Sequence, residues 1–297
     1  MPTDPPRPRL SVGVVGAGRV GAVLGAALQR AGHRVVAVSA VSPASLERAA
    51  VLLPGVPVRP VPDVLTGADL VVLAVPDDEL APLVAGLSAT SSWSPGQLVA
   101  HTSGRHGLAV MHPARSVVSP LALHPAMTFE GAAIDLERLA GCCFGVTTPD
   151  ALRPVGEALV VEMGGEPVWV AEADRVAYHA ALSHGANHLV TLVAQAMQVL
   201  RGAGVAAPDR VLAPLLSASL DAALRHGDAA LTGPVSRGDA GTVATHVHEL
   251  DGRGADLLPT YVALARATAM RALADGRLSP HSTARVLDAL APTKEPT

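Results

Sequence analysis

Residues Leu10 to Ala31 form an apolar, β-branched run that turns through Gly16, Gly18 and Gly21 into an alanine-rich segment. The spacing predicts a strand, a tight turn and a helix. In such a turn the first glycine permits the sharp reversal and the second lets a ligand approach the backbone where a Cβ would intrude. The third lets the helix pack closely on the strand. A helix N-terminus offers unpaired N–H groups and a partial positive charge, so the turn is a seat for an anion. Gly16, Gly18, Arg19, Val20 and Gly21 are its candidate contacts. A second apolar run, Arg34 to Ser39, follows Gly32-His33, which is the setting of a βαβ unit that holds the pyrophosphate of a dinucleotide.

The end of the second run bears on which dinucleotide. Selectivity for NAD rests on an Asp or Glu about 20 residues beyond the glycines, which bonds the ribose 2′-hydroxyl. Here the chain reads Ser39-Ala40-Val41-Ser42, with no carboxylate to repel a 2′-phosphate. Ser39 and Ser42 can donate hydrogen bonds to that phosphate and Arg48 can supply charge, so NADP(H) is the expected cofactor.

The 297 residues suffice for two domains, and 49% of them are hydrophobic. That apolar content raises the question of a membrane segment. The long apolar stretch near the start is interrupted by Arg19 and by the glycines, so it reads as strand and helix rather than as a signal peptide or a span. Residues 1–9, with four prolines and no periodicity, read as a disordered tail. A net charge of −4 without a basic block gives no footprint for nucleic acid, and a small molecule is the expected partner. Cys142 and Cys143 are adjacent and would point to opposite faces of a strand, so no disulfide is expected. Both read as buried packing residues of a protein in the reducing cytoplasm.

From Leu10 to about Val170, short apolar runs alternate with helical or turn segments. The runs are Val12 to Val15, Arg34 to Ser39, Leu70 to Val75, Leu98 to Thr102, Val117 to Leu123, Cys142 to Thr147 and Pro167 to Val170. Such alternation predicts an α/β domain with a mostly parallel sheet and helices on its faces. Beyond it the chain reads as helices alone: Asp174 to Gly202, Pro208 to His226, Asp239 to Leu250, Pro259 to Leu273 and a short one after Ser279. The expected organisation is a dinucleotide-binding domain over residues 10–172 and an all-α domain over 173–297. Ligands of such sheets lie at the carboxyl ends of the strands. This singles out Val75 and Pro76 beside the nicotinamide ribose, and His101, Ser103 and His124 near the nicotinamide and substrate.

In the expected helix Asp174 to Gly202, Ser183, Asn187, Thr191 and Gln195 recur every four residues. Four residues advance a helix by about 400°, so these side chains form one slowly drifting polar stripe. The helix lacks the Lys and Glu of a solvent face between Arg175 and Arg201, which favours the wall of a polar cleft. His184 and His188 have metal-ligand spacing, but Gly185 stands where a zinc protease needs its Glu, and no metal site is expected. His246 and His248 lie about 200° apart on a helix and do not converge. Arg237, among small residues before the expected N-cap Asp239, suits a bidentate clamp on a substrate carboxylate, a bond contributing roughly 1.5 to 3 kcal/mol.

These segments together resemble a bacterial family of Rossmann-like proteins with a C-terminal domain long labelled as of unknown function. The resemblance runs from about Leu10 to Leu273 on Gly16-Ala-Gly18-Arg-Val-Gly21, Ala74-Val-Pro-Asp77, His101-Thr-Ser-Gly104, His124-Pro125 with Thr128-Phe129, Ala186-Asn187-His188 and Leu231-Thr-Gly-Pro-Val-Ser-Arg-Gly-Asp239. The family looks related to pyrroline-5-carboxylate reductases, ketopantoate reductases and 6-phosphogluconate-type dehydrogenases. The resemblance implies a Rossmann-like domain followed by an all-α domain that forms a homodimer. It implies NADPH-dependent reduction of a small carboxylate-bearing substrate, 2-dehydropantoate first, with a pyrroline-type imine reductase or a non-catalytic NADP-binding regulator as alternatives. In the hydroxyacid dehydrogenase and ketopantoate reductase relatives a Lys four positions before the helix Asn donates the proton, whereas this chain has Ser183 there. The expected site then uses Ser183 and Asn187 on the reacting oxygen and Arg237 on the carboxylate. His124 or His184, with a pKa near working pH, or a water held by Ser183 supplies the proton.

Overall fold

The computed structural model of the chain describes residues 9–291, so the tail expected over residues 1–9 lies outside the described residues except for Arg9. Packing divides the chain into two compact units, residues 1–186 and 187–297. The division thus falls beyond the 172/173 boundary expected from the change of secondary structure, because the first helix after the sheet packs with the sheet unit.

The first unit begins β1 (Ser11–Val15), α1 (Arg19–Arg30), β2 (Arg34–Ser39), α2 (Pro43–Leu52), α3 (Val61–Leu65), β3 (Leu70–Leu73), α4 (Asp77–Ala89) and β4 (Leu98–His101). A 3-10 segment, Leu108–Ala114, leads into β5 (Ser119–Pro125), followed by α5 (Ile134–Arg138), β6 (Cys143–Thr147), α6 (Arg153–Glu162), β7 (Glu166–Trp169) and α7 (Arg175–Leu182). The strands form one sheet in the order β2-β1-β3-β4-β5-β6-β7. The ladders from β2 to β5 are parallel, β6 runs antiparallel to β5, and β7 is parallel to β6. All seven apolar runs read from the sequence are strands. Their continuous Val/Leu character follows from burial on both faces. Val12, Val14, Leu70, Val72, Leu121 and Phe144 pack with α1 and α6, while Val15, Val71, Leu73 and Val99 pack with α4 and the 3-10 segment. Strand order reverses between β1 and β3, and the crevice beyond their carboxyl ends is where such sheets bind ligands.

The expected single helix from Asp174 to Gly202 is broken by a π turn, Ser183–Asn187, between α7 and α8 (His188–Gly202). The break shifts the register, so the polar stripe is not continuous. Asn187 and Thr191 are exposed, whereas Gln195 is buried and donates to Asp256 Oδ2 at 2.7 Å and Thr260 Oγ1 at 3.2 Å. Gln195 is therefore a pin inside the second unit.

That unit continues with α9 (Pro208–His226), α10 (Pro234–Arg237), α11 (Ala240–Leu250), α12 (Leu257–Ala274) and α13 (Pro280–Ala289). Val235, Val243, Ala265, Ala269, Val286 and Leu290 form its core. The small residues around Arg237 hold a helical turn, α10, between Gly233 at φ 92° and Gly238 at φ 78°. Of the cysteines, Cys142 is buried as expected but Cys143 is exposed, because neighbours on a strand face opposite ways.

Candidate active site

The glycine turn is built by steric exclusion. Gly16 has φ 95°, and a Cβ on it would stand 2.5 Å from the Ala74 carbonyl oxygen. A Cβ on Gly21 would fall on the Gly16 carbonyl and lie 2.8 Å from Ala74 Cβ. A Cβ on Gly18 meets nothing within 4 Å, so the space over the turn is open. Gly18 is the N-cap of α1, with no side-chain cap and no acidic residue in the first turn. The amides of the first helical positions, Arg19, Val20 and Gly21, therefore face that space without an internal acceptor, as an incoming pyrophosphate requires. The residues present fit a dinucleotide.

Beside the turn, Ser39 is buried and its Oγ accepts the Gly16 N–H at 2.9 Å. In that bond Ser39 braces the turn as an acceptor. Ser42 stays exposed as the N-cap of α2, its Oγ accepting the Ser45 N–H at 3.2 Å. Arg48 and Arg19 converge at Gly131, where a Cβ would lie 2.7 Å from Arg48 Nε and 3.1 Å from Arg19 Cγ. Across the crevice Val75 is half-buried, and Pro76 is the exposed N-cap of α4. Asp77 and Asp78 in its first turn engage Arg105 at 3.5 and 2.6 Å.

Further along the strand ends, His101 is fully buried, with Nε2 2.9 Å from the Gly107 carbonyl oxygen and Nδ1 without a partner. A carbonyl only accepts, so Nε2 carries the proton. Burial pushes the His101 pKa from 6.5 to about 4. Ser103 Oγ accepts the His106 N–H at 3.1 Å and closes the loop after β4. His124 places Nδ1 3.0 Å from the Tyr178 hydroxyl. Burial first, then the charges of Arg175 and His179, pull its pKa down to about 4. His124 is therefore a neutral imidazole near pH 7, which corrects the expectation of a proton donor titrating near working pH.

Arg175 is the group that reading the sequence missed. It is 1% exposed, and it donates from Nε to the His106 carbonyl at 2.9 Å, from Nη1 to Gly145 at 2.9 Å and from Nη2 to Ser103 at 2.6 Å. Glu172 adds a clasp by accepting the N–H groups of Leu108 and Ala109 at 2.6 and 2.9 Å. Arg175, Tyr178 and His179 stand at i, i+3 and i+4 on α7 and so share one face. That spacing was the available signal.

The other expected residues are distributed between the units. Ser183, half-buried, and His184, exposed, lie at the end of the first unit, while Asn187 and Arg237 belong to the second. Arg237 is exposed and pairs with Asp239 at 3.1 Å. Asp239 holds the N-cap position of α11 but makes no side-chain capping bond, because its carboxylate has turned to Arg237.

Fold and turn together define a Rossmann-type chain with an α-helical second part. Residues 2–125 match the model of a Rossmann-like domain, and residues 142–268 match a domain of unknown function, DUF2520. No curated protein matches the chain. Among solved structures it is similar to a Bacteroides fragilis protein whose name proposes an NADP oxidoreductase, at 20% identity and TM-score 0.73, covering 88% of this chain and 98% of that one. An imine reductase from Myxococcus stipitatus in complex with NADP+ aligns at 16% identity and TM-score 0.66, covering 94% and 99%. A pyrroline-5-carboxylate reductase from Coxiella burnetii aligns at 15% and TM-score 0.54, covering 96% and 100%. At these identities the likeness speaks for the fold.

Arg175→Met leaves the carbonyls of Ser103, His106 and Gly145 without their donor. We expect a loss of about 3 kcal/mol or more in urea unfolding, partly restored by Arg175→Lys. His101 and His124, held neutral in the fold down to about pH 4, take up protons below about 6.5 once unfolded. Their contribution to stability is complete above pH 6.5 and falls as the pH drops toward 4. Melting temperatures measured across that range should fall less steeply for His124→Asn than for the unaltered chain.

Proposed function

We propose that the chain is an NADPH-dependent reductase acting on the C=N or C=O bond of a small carboxylate-bearing substrate. The observation that carries this reading is the glycine turn: open space over Gly18, uncapped amides at the start of α1, and strand-end polar groups beyond them in the same unit. A dihydronicotinamide held there supplies a hydride. The phosphate ester of NADP is supported by Ser42 at the start of α2 and by Arg19 and Arg48, neither of which forms an ion pair among the described residues. Similarity in fold to imine and pyrroline-5-carboxylate reductases supports a C=N substrate. Ser183, in place of the Lys of the hydroxyacid relatives, agrees with it, since an imine can arrive already protonated. Reduction of 2-dehydropantoate is the carbonyl form of the same reading. The roles expected of Asn187 and Arg237 are not needed for it.

NADPH should bind the wild-type protein at least tenfold more tightly than NADH in calorimetry, and Arg48→Ala should remove most of that preference. Equal affinities would overturn the choice of NADP. Oxidation of NADPH should be seen with at least one of a set of cyclic imines, pyrroline-5-carboxylate, 2-dehydropantoate and 2-oxo acids. Tight NADPH binding without turnover of any would favour a regulatory protein.

We also propose that the second unit forms a homodimer. α9 exposes Val211, Leu215, Leu220 and Leu224, the last at 80%, and α8 exposes Val190 at 70%. Val211 and Leu215 lie about half a turn round α9 from Leu220 and Leu224, and apolar side chains exposed on both sides of a helix and on its neighbour α8 are costly in water and suit a second copy of the chain. Light scattering should give twice the chain mass, and Leu215→Glu with Leu224→Glu should give the monomer. No helix among the described residues is long and apolar enough to cross a membrane.

A further inference from the structure

The end of β5 carries a phenol–imidazole pair that the glycine turn does not use. His124 stands next to the last residue of β5, Tyr178 lies one turn into α7, and the two are joined at 3.0 Å. Two absent side chains make the approach possible. A Cβ on Gly145, the ladder partner of His124, would come 2.6 Å from the Tyr178 hydroxyl. One on Gly104 would come 3.0 Å from His124 Nε2 and 2.5 Å from His179 Cδ2. Tyr178 and His179 meet the His124 ring edge-on, with centroids 5.6 and 5.9 Å away. Segments distant in sequence thus leave room for one phenol and two imidazoles at the strand end where reduction is proposed to occur.

The chemistry of the pair follows from its surroundings. Burial, with Arg175 and His179 adding positive charge and Asp77 opposing them, leaves His124 neutral. A neutral imidazole releases its Nδ1 proton readily only as another arrives at Nε2, so His124 is a conduit rather than an acid. Burial raises the Tyr178 pKa, against the opposing pull of Arg175 and the Gly145 backbone, so the phenol keeps its proton in the resting protein. Arg175, 5.8 Å from the centre of the Tyr178 ring, is a fixed positive charge for the phenolate that forms when the proton leaves.

We propose that Tyr178 donates the proton that completes reduction of a carbonyl or unprotonated imine, and that His124 relays its replacement; the inference rests on the reductase reading above. The substrate carbon gains a hydride, with its electron pair, from a reduced nicotinamide nucleotide, and the former π pair settles on oxygen or nitrogen. That atom takes the Tyr178 hydroxyl proton, before the hydride for an imine and with it for a carbonyl. The phenolate recovers a proton from His124 Nδ1 as Nε2 takes one from water, which restores the phenol and leaves the imidazole as its Nε2–H tautomer, reset to Nδ1–H by proton exchange with water before the next turnover. The products are an alcohol or amine and the oxidised nucleotide. A substrate that arrives as an iminium bypasses Tyr178.

Tyr178→Phe keeps the ring and removes only the hydroxyl. With a carbonyl substrate, or an imine assayed above its own pKa, kcat should fall by about 100-fold or more while KM and the NADPH dissociation constant stay within threefold. A second reading does not depend on turnover: the 15N resonances of the His124 ring should shift in Tyr178→Phe, because Nδ1 loses its partner. Retention of kcat within threefold, or unchanged His124 resonances, would overturn the donor role and leave the reductase reading intact. A wild-type protein that reduces nothing overturns both.

Discussion

A guanidinium buried without a carboxylate partner organises the strand ends of β4 to β6 in the sheet unit. Arg175 is held by the carbonyls of Ser103 and His106 in the loop after β4 and of Gly145 in β6. Burying a charge is costly unless its donors are satisfied, and here main-chain dipoles satisfy them. The arrangement fixes the β4 loop, the antiparallel strand β6 and the first turn of α7 to one another. Everything at the strand end then inherits its position: Gly104 beneath the imidazoles, His124 opposite Gly145, and Tyr178 on the side of that glycine where a side chain would stand.

The same charge shapes the electrostatics of the site. It adds to burial in holding His101 and His124 neutral, and it opposes burial at Tyr178. In the proposal above, a phenol beside a neutral imidazole takes the place of a cationic acid at His124. The π turn of Ser183–Asn187 follows within three turns of Arg175. Such turns recur at functional sites because they redirect side chains without ending the helix. Here the turn is also where the compact sheet unit gives way to the second unit.

The glycine turn works through an opposite device, the absence of side chains. Gly16 and Gly21 are demanded by the backbone of the turn and by Ala74, whereas Gly18 faces open space and is demanded by nothing within the unit. A glycine with room for a Cβ, at the uncapped start of a helix, is the mark of a backbone left clear for a ligand.

The sequence by itself determined the seven strands, the glycine turn and the change to helices near Val170, because periodicity and glycine spacing are local properties that survive without tertiary context. It also pointed to Gly16, Gly18 and Gly21 as the turn where a nucleotide is proposed to sit. It did not show that Ser39 braces Gly16, that Arg237 turns to Asp239, that Gln195 is buried, or that the Asp174 to Gly202 helix breaks. Each of those depends on which partner lies nearest in space. The tertiary structure alone decided the chemistry of His124, since an imidazole titrates according to burial and neighbouring charge, and the residues responsible, Arg175, Tyr178 and His179, lie some fifty positions away along the chain.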